Sequence, residues 1–349
     1  MHQDVIFREY DIRGVYDQDF DAKFAFDLGC AFVQYMRARQ PEGKLLLSIG
    51  HDARVSSPTL VAELSRGMRT AGADVMLLGM VTTPMCYFST FEAPGVNGSI
   101  MVTGSHNPPN YNGFKISAGK YTIFGEEIQK LKHLIQKNIS SAELFNSTTT
   151  KHTEENHDIK PAYLKRYEKE FGKLSPVKVV LDCGNGAAGA IVRKLFEVVG
   201  LQPTILFEKP DGTFPNHHPD PTVEKNLVHL RDQVLKEGAV CGIGFDGDAD
   251  RIGIVDHTGK MIYGDELMVI YARDILSKDK GQKIIGDVKC SDRMYADIAK
   301  NGGEPIMWKT GHSLIKEKVK VEKAPFGGEM SGHIFFQDRN YGYDDAPYA

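Results

Sequence analysis

The sequence predicts an α/β protein made of three successive similar domains, each with a mixed, mostly parallel sheet. Three observations lead to this prediction. The chain has 349 residues, 41% of them hydrophobic, which is enough for several domains with apolar cores. One β-loop-α-β pattern occurs three times along the chain, and a polar connector separates the first copy from the second.

Each copy of the pattern contains an apolar run, a polar loop, an amphipathic stretch and a second apolar run. The copies are "LLLSIGHDARVSSPTLVAELSRGMRTAGADVMLLG", "VKVVLDCGNGAAGAIVRKLFEVVGLQPTILFE" and "KIIGDVKCSDRMYADIAKNGGEPIMW". Runs of Val, Ile and Leu flank a stretch with helical periodicity in all three. Each copy therefore predicts two parallel strands joined by a helical crossover.

The domain boundaries follow from the composition between these copies. The stretch "NISSAELFNSTTTKHTEENHDI" is rich in Ser, Thr and Asn and predicts a connector near residue 150, and "IKPAYLKRYEKEFGKL" predicts a helix that opens the second domain. We expect the three domains at 1–150, 151–253 and 254–349. The loop after the first strand of each copy should lie at the carboxyl edge of its sheet, where ligands bind in α/β proteins.

Charge and cysteine usage limit the class of protein. The net charge is −4, which argues against a general nucleic-acid-binding protein. The N-terminus lacks an apolar signal-peptide segment, and no apolar run is long enough to span a membrane. The cysteines are odd in number and scattered, which disfavours a disulfide framework or a zinc site. We expect a cytoplasmic protein without a membrane partner.

The segment "GAVCGIGFDGDADRIGIV" carries the strongest metal signal. Asp246, Asp248 and Asp250 follow a strand-like run, and carboxylates at alternate positions of an extended backbone project to one side. They would repel one another unless a hard divalent cation neutralised them. An EF-hand is excluded, because its required Gly and Glu positions hold Arg251 and His257. An acidic surface loop is the alternative, whereas magnesium with Arg251 beside it is typical of phosphoryl transfer.

The stretch "TGSHNPPNYNGFK", residues 103–115, predicts a stiff polar loop at the end of a strand. Ser105 is the candidate nucleophile, although a serine here could also serve as a loop-capping hydroxyl. His106 could act on that hydroxyl or hydrogen-bond within the loop, and Lys115 could be functional or a surface lysine. No G-x-S-x-G elbow frames the serine, which disfavours an acyl-transfer hydrolase.

Three further stretches supply candidates for ligand binding. In "FGGEMSGH", Glu329 and Ser331 are suited to hydrogen-bonding a vicinal diol. "WKTGHS" places His312 in another glycine-containing loop. "FREYDIRG" brings Arg13 close in sequence to Tyr10, an arrangement suited to an anion or to ordinary salt bridges.

Taken in order, one per domain, the serine loop, the Asp-x-Asp-x-Asp-Arg loop and the Gly-Glu-Met-Ser-Gly-His loop resemble the α-D-phosphohexomutase family. The resemblance is to its bacterial phosphomannomutase/phosphoglucomutase branch and extends over essentially the whole chain. It includes "FREYDIRG", "GTFPNHHPDPTVEKNL", "DVKCS" and "MWKTGHSLIK". The glucosamine-mutase branch usually has "SASHNP" where this chain has "TGSHNP", and this difference favours a hexose substrate.

This resemblance implies an active site in the cleft between the domains and a mutase reaction. The enzyme would interconvert mannose 6-phosphate with mannose 1-phosphate and glucose 6-phosphate with glucose 1-phosphate. Ser105 would carry a phosphoryl group, and a hexose 1,6-bisphosphate would serve as intermediate and activator. One Mg²⁺ per site would be held by Asp246, Asp248, Asp250 and a phosphate oxygen on Ser105. Hexose phosphates are the expected partners of a monomer or weak dimer.

The resemblance also suggests roles for individual residues. Lys115 and His312 are the two candidates for moving a proton, and Glu329 and Ser331 would hold the O3 and O4 hydroxyls that glucose and mannose share. Dual specificity is therefore expected. The complete set of catalytic candidates is Ser105, His106, Lys115, Arg13, Arg251 and His312. The substrate-binding candidates are Tyr10, Lys289, Glu329, Ser331 and His333.

Two alternatives remain open from the sequence. A haloacid-dehalogenase-type phosphatase or mutase would use Asp246 as its nucleophile, but its motif normally continues with Thr or Val where this chain has Asp250. That alternative also leaves the serine loop unexplained. The second alternative is a non-catalytic module that binds sugar phosphates.

The resemblance finally implies a fourth domain beyond "YGYDDAPYA", with an Arg- and Ser-rich loop that clamps the non-reacting phosphate. We expect the chain ending at Ala349 to be a fragment, because "GYDDAPYA" is typical of the first turn of a helix. Such a fragment should fold and bind Mg²⁺ but turn over hexose phosphates slowly, since charge-assisted phosphate contacts would be missing.

Overall fold

The computed structural model describes residues 4–138 and 151–349. Most of the predicted connector, residues 139–150, lies outside the described residues. The chain divides into two compact units. The first contains the described residues up to Tyr163 together with Asp211–Thr213, and the second contains Leu164–Pro210 and Phe214–Ala349.

The first unit has a seven-stranded mixed sheet within its described residues. The strands are β1 (Ile12–Val15), β2 (Leu46–His51), β3 (Asp74–Met80), β4 (Val96–Val102), β5 (Tyr111–Ala118), β6 (Tyr121–Thr122) and β7 (Glu154–Asn156). Their order is β1-β5-β4-β2-β3-β7, with β6 paired to β5. The pairs among β4, β2, β3 and β7 are parallel, whereas β5 runs antiparallel to β1, β4 and β6.

The first unit also contains helices. They are α1 (Ala22–Arg39), α2 (Ser57–Thr70), α3 (Thr83–Glu92) and α4 (Glu126–Asn138), and α5 (Lys160–Phe171) begins in this unit. The start of α1 is set by Asp21, whose side chain accepts a hydrogen bond from the Phe24 amide at 2.9 Å. An apolar core that includes Phe24, Leu47, Ile100 and Phe114 is buried between the helices and the sheet.

The second unit contains two smaller sheets. The strands of the five-stranded sheet are β8 (Val179–Asp182), β9 (Thr204–Leu206), β10 (Cys241–Phe245), β11 (Ile252–Asp256) and β12 (Met261–Ile262), in the order β12-β11-β10-β8-β9. The strands of the four-stranded sheet are β13 (Lys283–Asp287), β14 (Glu304–Trp308), β15 (Phe326–Gly328) and β16 (Ile334–Phe336), in the order β14-β13-β15-β16. The helices are α6 (Val192–Val198), α7 (Val228–Glu237), α8 (Gly264–Lys278), α9 (Asp292–Lys300) and α10 (His312–Glu322).

The predicted β-loop-α-β units are confirmed. They are β2-α2-β3, β8-α6-β9 and β13-α9-β14, and the two strands of each unit are parallel neighbours. One unit lies in each of the three sheets, which accounts for the threefold repetition in the sequence. The helix predicted from "IKPAYLKRYEKEFGKL" is α5.

The sequence prediction for residues 103–115 is wrong in its second half. Tyr111–Lys115 form the first part of strand β5 and are not loop. The strand tolerates a glycine here because β1 passes close by: a Cβ at Gly113 would lie 2.3 Å from the carbonyl oxygen of Ile12. The serine loop is therefore shorter than predicted and connects β4 to β5.

Among the helices in residues 4–138 and 151–349, none is both long enough and apolar enough to cross a membrane.

Candidate active-site residues

Ser105 lies in the loop between β4 and β5 and is 1% exposed. Its backbone is in the left-handed region, with φ of +49°, which is uncommon for a residue other than glycine. Its Oγ lies 3.2 Å from Nδ1 of His106. The amide of Ser105 donates to Oγ1 of Thr103 at 2.8 Å, so the serine is held from both its side chain and its backbone.

Two of the candidate cations lie on strands of the same sheet. Arg13 lies on β1 opposite Gly113 and forms an ion pair with Asp11. Lys115 lies on β5 opposite Met101 and is 3% exposed, so it is not the surface lysine that the sequence left as an alternative. A buried lysine is unusual and is expected only where it has a structural or chemical role.

Tyr10 is half-buried and lies in a bend just before β1. The order β1-β5-β4 places Lys115 on the strand that pairs with β4, which leads into Ser105, and Arg13 on the next strand beyond it. The first unit thus gathers a hydroxyl, an imidazole and two cations around the end of one sheet. This arrangement suits an anionic ligand or a phosphorylated serine.

In the second unit, residues 246–251 connect β10 to β11, and we call this segment the aspartate turn. Asp246, Asp248 and Asp250 are fully buried, and one oxygen of each lies within 4.8 Å of the others. The predicted convergence is present, but its predicted cause is wrong. The backbone is a tight turn rather than an extended strand, with Ala249 at φ of +58° and its amide donating to the Asp246 carbonyl at 3.1 Å.

The electrostatics of this turn favour a bound cation. One oxygen of Asp246 accepts the amides of Asp250 and Arg251 at 3.1 and 3.2 Å, and the other lies 3.7 Å from the Arg251 Nε. Carboxylate oxygens are the preferred ligands of Mg²⁺ and Ca²⁺, and buried carboxylates so close together require compensating positive charge. These residues therefore fit a hard divalent cation.

The Gly-Glu-Met-Ser-Gly-His loop, between β15 and β16, packs directly against the aspartate turn. The amide of Ile252 donates to the Gly332 carbonyl at 3.1 Å, and a Cβ at Gly332 would lie 2.4 Å from the Ile252 oxygen. Only glycine fits this approach, because φ of residue 332 is also +83°. The contact places His333 beside Arg251 in an isolated antiparallel bridge.

His333 and His312 both approach the same oxygen of a buried carboxylate, Asp344. Nδ1 of His333 is 2.8 Å from Oδ2 of Asp344 and 3.8 Å from Oδ1 of Asp250. Nδ1 of His312 is 3.8 Å from the same Asp344 oxygen, and Lys316 Nζ is 2.9 Å from the other. Asp250, His333 and Asp344 form a second group whose ligand atoms could hold a metal ion. Both histidines and the aspartate turn thus belong to one polar cluster.

Glu329 is 2% exposed and accepts the Gly311 amide at 2.5 Å. Burial raises the pKa of this carboxyl, and His333 and the Gly311 amide oppose the rise without cancelling it. Asp287, at the end of β13, accepts the Met330 amide at 3.2 Å and so ties the Glu329 loop to the third sheet.

The two remaining substrate-binding candidates are more accessible. Ser331 is half-buried and Lys289 is exposed. Accessible polar groups of this kind suit contacts with a soluble polar ligand such as a sugar phosphate.

The structure groups the sequence candidates by unit. Ser105, His106, Arg13, Lys115 and Tyr10 belong to the first unit. The second unit contains Asp246, Asp248, Asp250, Arg251, Lys289, His312, Glu329, Ser331 and His333.

Sequence reasoning missed the buried or mostly buried partners of these groups, which are Asp52 and Arg54 in the first unit and Asp287, Lys316 and Asp344 in the second. Asp52 directly follows β2 and Asp287 is the last residue of β13, and each of these is the first strand of a β-loop-α-β unit, so this position in the pattern could have indicated both residues. Lys316 and Asp344 do not lie at the end of the first strand of a β-loop-α-β unit.

Three family models match consecutive parts of this chain. They are described as "Phosphoglucomutase/phosphomannomutase, alpha/beta/alpha domain I", "domain II" and "domain III", and they match residues 4–142, 161–259 and 263–349. Each model matches most of the strands of one of the three sheets. The chain thus consists of three α/β domains, as the sequence predicted.

Named relatives agree with the family models. A "Phosphomannomutase/phosphoglucomutase" of Pseudomonas aeruginosa is 44% identical over 344 residues, which is 99% of this chain and 72% of that protein. A "Phosphoglucomutase" of Neisseria gonorrhoeae is 41% identical over 345 residues, covering 99% of this chain and 73% of the relative.

A solved structure gives the same result. The "Phosphoglucomutase/phosphomannomutase family protein" of Burkholderia thailandensis is 42% identical and superposes with a TM-score of 0.91, over 100% of this chain and 75% of the other. These matches give no support to the haloacid-dehalogenase-type alternative. The chain belongs to the phosphoglucomutase/phosphomannomutase family, a family of phosphohexomutases and hence of isomerases.

Proposed function

We propose that this protein interconverts the 1-phosphates and 6-phosphates of mannose and glucose, with a phosphoryl group carried on Ser105 and a hexose 1,6-bisphosphate as intermediate. The observation that carries this proposal is the buried turn in which Asp246, Asp248 and Asp250 converge within 4.8 Å. Such a site has little purpose in a module that only binds sugars. It suits a reaction in which negative charge on a phosphoryl group must be neutralised.

In the proposed first step, the bond between Ser105 Oγ and phosphorus breaks as a bond forms between phosphorus and a free hydroxyl oxygen of the substrate. The proton of that hydroxyl moves to a general base, for which Lys115 and His312 are the candidates. In the second step, the other phosphoryl group of the bisphosphate passes to Ser105, and the departing sugar oxygen regains a proton. The sugar phosphate is isomerised and the phosphoserine is restored.

The chain supplies groups for each part of this scheme. Asp246, Asp248 and Asp250 would hold Mg²⁺, with Arg251 as a second positive charge beside them. Mg²⁺ when bound supplies neutralisation of the charge on the transferring phosphoryl oxygens. Lys289 and His333 would contact the substrate's phosphate.

Substrate range follows from the groups that would hold the sugar. Glu329 and Ser331 would hydrogen-bond the sugar hydroxyls O3 and O4, which mannose and glucose have in common. Mannose and glucose differ only in configuration at C2, and neither of these contacts involves C2. Both sugars are therefore accepted. The name of the Pseudomonas aeruginosa relative, "Phosphomannomutase/phosphoglucomutase", covers both sugars and supports this range.

Phosphorus NMR tests the proposal. The protein is incubated with Mg²⁺, a trace of glucose 1,6-bisphosphate and either glucose 1-phosphate or mannose 1-phosphate. We expect the corresponding 6-phosphate to accumulate, and Ser105→Ala to slow this conversion by several orders of magnitude, because a covalent nucleophile is lost. Ser277→Ala, which removes an exposed hydroxyl on α8, is the matched control and should be unaffected. Release of inorganic phosphate without a 6-phosphate would contradict the proposal, as would normal turnover by Ser105→Ala.

A further inference from the structure

A buried arginine lies beneath the serine loop of the first unit. Arg54 follows strand β2 in the segment "HDARVSS", and its side chain is fully buried. Arginine is almost never fully buried unless it is paired. Here three of its five hydrogen-bond partners, Ser105, Asn107 and Pro108, lie in the loop that contains Ser105.

All the hydrogen-bond donors of the Arg54 guanidinium are used. The Nε donates to Asp52 at 3.1 Å. Nη1 donates to the carbonyls of Pro108 and Tyr111 at 2.5 and 2.9 Å, and Nη2 donates to those of Ser105 and Asn107 at 2.8 and 2.6 Å. A guanidinium has five N–H donors in one rigid plane, and lysine cannot reproduce this pattern.

Asp52 connects the same arginine to the other side of Ser105. One oxygen of this buried carboxylate receives the Arg54 Nε and also accepts the Thr103 hydroxyl at 2.8 Å and the Gly104 amide at 3.1 Å. The Thr103 oxygen in turn accepts the Ser105 amide at 2.8 Å. A continuous chain of hydrogen bonds therefore runs from Arg54 through Asp52 and Thr103 to Ser105.

Both peptide groups that flank the Ser105 Cα are held by this network. Thr103 fixes the amide before it and Arg54 fixes the carbonyl after it. Ser105 has φ of +49°, a conformation that costs a residue with a side chain on the order of 1 kcal/mol or more. Such a conformation persists only where surrounding contacts hold it, and the network supplies those contacts.

From this geometry we infer that Arg54 and Asp52 are positioning residues that hold Ser105 in the left-handed conformation from which its hydroxyl accepts and returns a phosphoryl group. This inference rests on the proposed function, because it assumes that Ser105 is the phosphoryl carrier. Neither residue touches the substrate in this account. Their effect is on the direction in which Oγ points, and a small misplacement of a reacting group slows a reaction strongly.

The phosphorylation of Ser105 gives a direct readout. When dephosphorylated protein reacts with glucose 1,6-bisphosphate, a bond forms between Oγ and phosphorus as the bond between phosphorus and the sugar oxygen breaks. The hydroxyl proton of Ser105 ends on the departing sugar oxygen. Intact-mass spectrometry follows the gain of one phosphoryl group over time, and the dependence on bisphosphate concentration separates the maximal rate from the half-saturating concentration.

The test compares Arg54→Lys with Arg66→Lys. Arg66 lies on α2 in the same unit and pairs with Glu63, away from the Arg54 hydrogen bonds. We expect Arg54→Lys to lower the maximal phosphorylation rate by about tenfold to a hundredfold. The half-saturating bisphosphate concentration should change little, and Arg66→Lys should behave as wild type. All rates are measured at a temperature where circular dichroism shows the variants to be folded, so that lost stability alone does not lower them.

A second variant covers the case in which Arg54→Lys does not fold. Thr103→Val removes only the hydroxyl that connects Asp52 to Ser105 and nearly preserves the side-chain shape. It should also slow phosphorylation, with the larger effect on the maximal rate. A folded Arg54→Lys or Thr103→Val protein that is phosphorylated at the wild-type rate would overturn the inference alone. Wild-type protein that takes up no phosphoryl group would overturn the proposed function, and the inference with it.

Discussion

The imidazole rings of His312 and His333 stack on each other, with centroids 5.4 Å apart and planes inclined by 22°. Their Nδ1 atoms lie 3.8 and 2.8 Å from the same oxygen of Asp344, which is completely buried. Lys316 lies 2.9 Å from the other oxygen of that carboxylate. One aspartate therefore holds two candidate active-site histidines and a lysine in a fixed arrangement.

Replacing Asp344 by Asn should lower both stability and activity. The change leaves the mostly buried Lys316 without its counter-charge, and breaking a buried ion pair costs on the order of 3 kcal/mol. Urea denaturation measures this loss. Asp338→Asn is the control, because Asp338 forms a partly exposed pair with Arg339 and its loss should cost about 1 kcal/mol or less. Equal effects of the two substitutions would show that Asp344 has no special structural role.

Asp248→Asn should raise the melting temperature in the absence of metal and weaken the stabilisation that Mg²⁺ provides. Without metal the variant should melt at a higher temperature than wild type, because one of three mutually repelling buried carboxylates is neutral. With Mg²⁺ added, the increase in melting temperature should be smaller than in wild type, because a charged ligand has been replaced by a neutral one.

Thermal unfolding across a magnesium titration measures both effects. Asp232→Asn, on the exposed face of α7, is the control and should leave the titration unchanged. An unaltered magnesium response in Asp248→Asn would mean that these aspartates do not form the metal site.

A pH-dependent contribution to stability should come from His217. Its Nε2 lies 3.1 and 3.0 Å from the two oxygens of the buried Asp182. Burial alone would lower the pKa of this histidine, but the hydrogen bond and the charge of Asp182 outweigh burial and raise it. The protonated histidine thus stabilises the folded state. Its contribution should be fully present below the pKa of an unfolded histidine, about 6.5, and lost as pH rises through the folded value.

The measurement is the free energy of unfolding by urea from pH 5 to pH 9, for wild type and for His217→Gln. The difference between the two should be largest at low pH and shrink as pH rises. The exposed His257, replaced in the same way, is the control. A difference that grows with pH would show that the pKa of His217 is lowered in the folded protein.

Glu329→Ala should impair glucose and mannose phosphates to the same extent. If the carboxylate holds hydroxyls common to both sugars, kcat/KM should fall by about tenfold or more for each, since a hydrogen bond to a charged group is lost. Glu317→Ala, at an exposed position on α10, is the control. A loss confined to one sugar would show that this loop distinguishes the two at C2.

Much of the fold could be predicted from the sequence because local patterns determine it. Runs of Val, Ile and Leu formed the strands of all three β-loop-α-β units, and parallel pairing followed from the helical crossovers. The beginning of strand β5 was missed, because Asn112 and Gly113 resemble turn residues. Their conformation is set by pairing with β1, and a local sequence pattern carries no information about that pairing.

The site was only partly predictable for a similar reason. The spacing of Asp246, Asp248 and Asp250 predicted that their carboxylates converge, and they do form a group that could hold a metal ion, although a tight turn rather than an extended strand brings them together. Arg54 and Asp344 were missed, because their partners lie far away in sequence. Nothing in a local pattern indicates that the guanidinium at position 54 will bind carbonyls of a loop some fifty residues later.

The mass of the protein after exposure to glucose 1,6-bisphosphate tests the central claim most directly. The claim is that Ser105 carries the phosphoryl group during the mutase reaction. We predict that wild-type protein gains one phosphoryl group, located on Ser105 by peptide fragmentation, and that it loses this group when excess glucose 1-phosphate is added. Ser105→Ala should gain none. A phosphoryl group found on Asp246, or wild-type protein that remains unmodified while it converts glucose 1-phosphate to glucose 6-phosphate, would contradict the account.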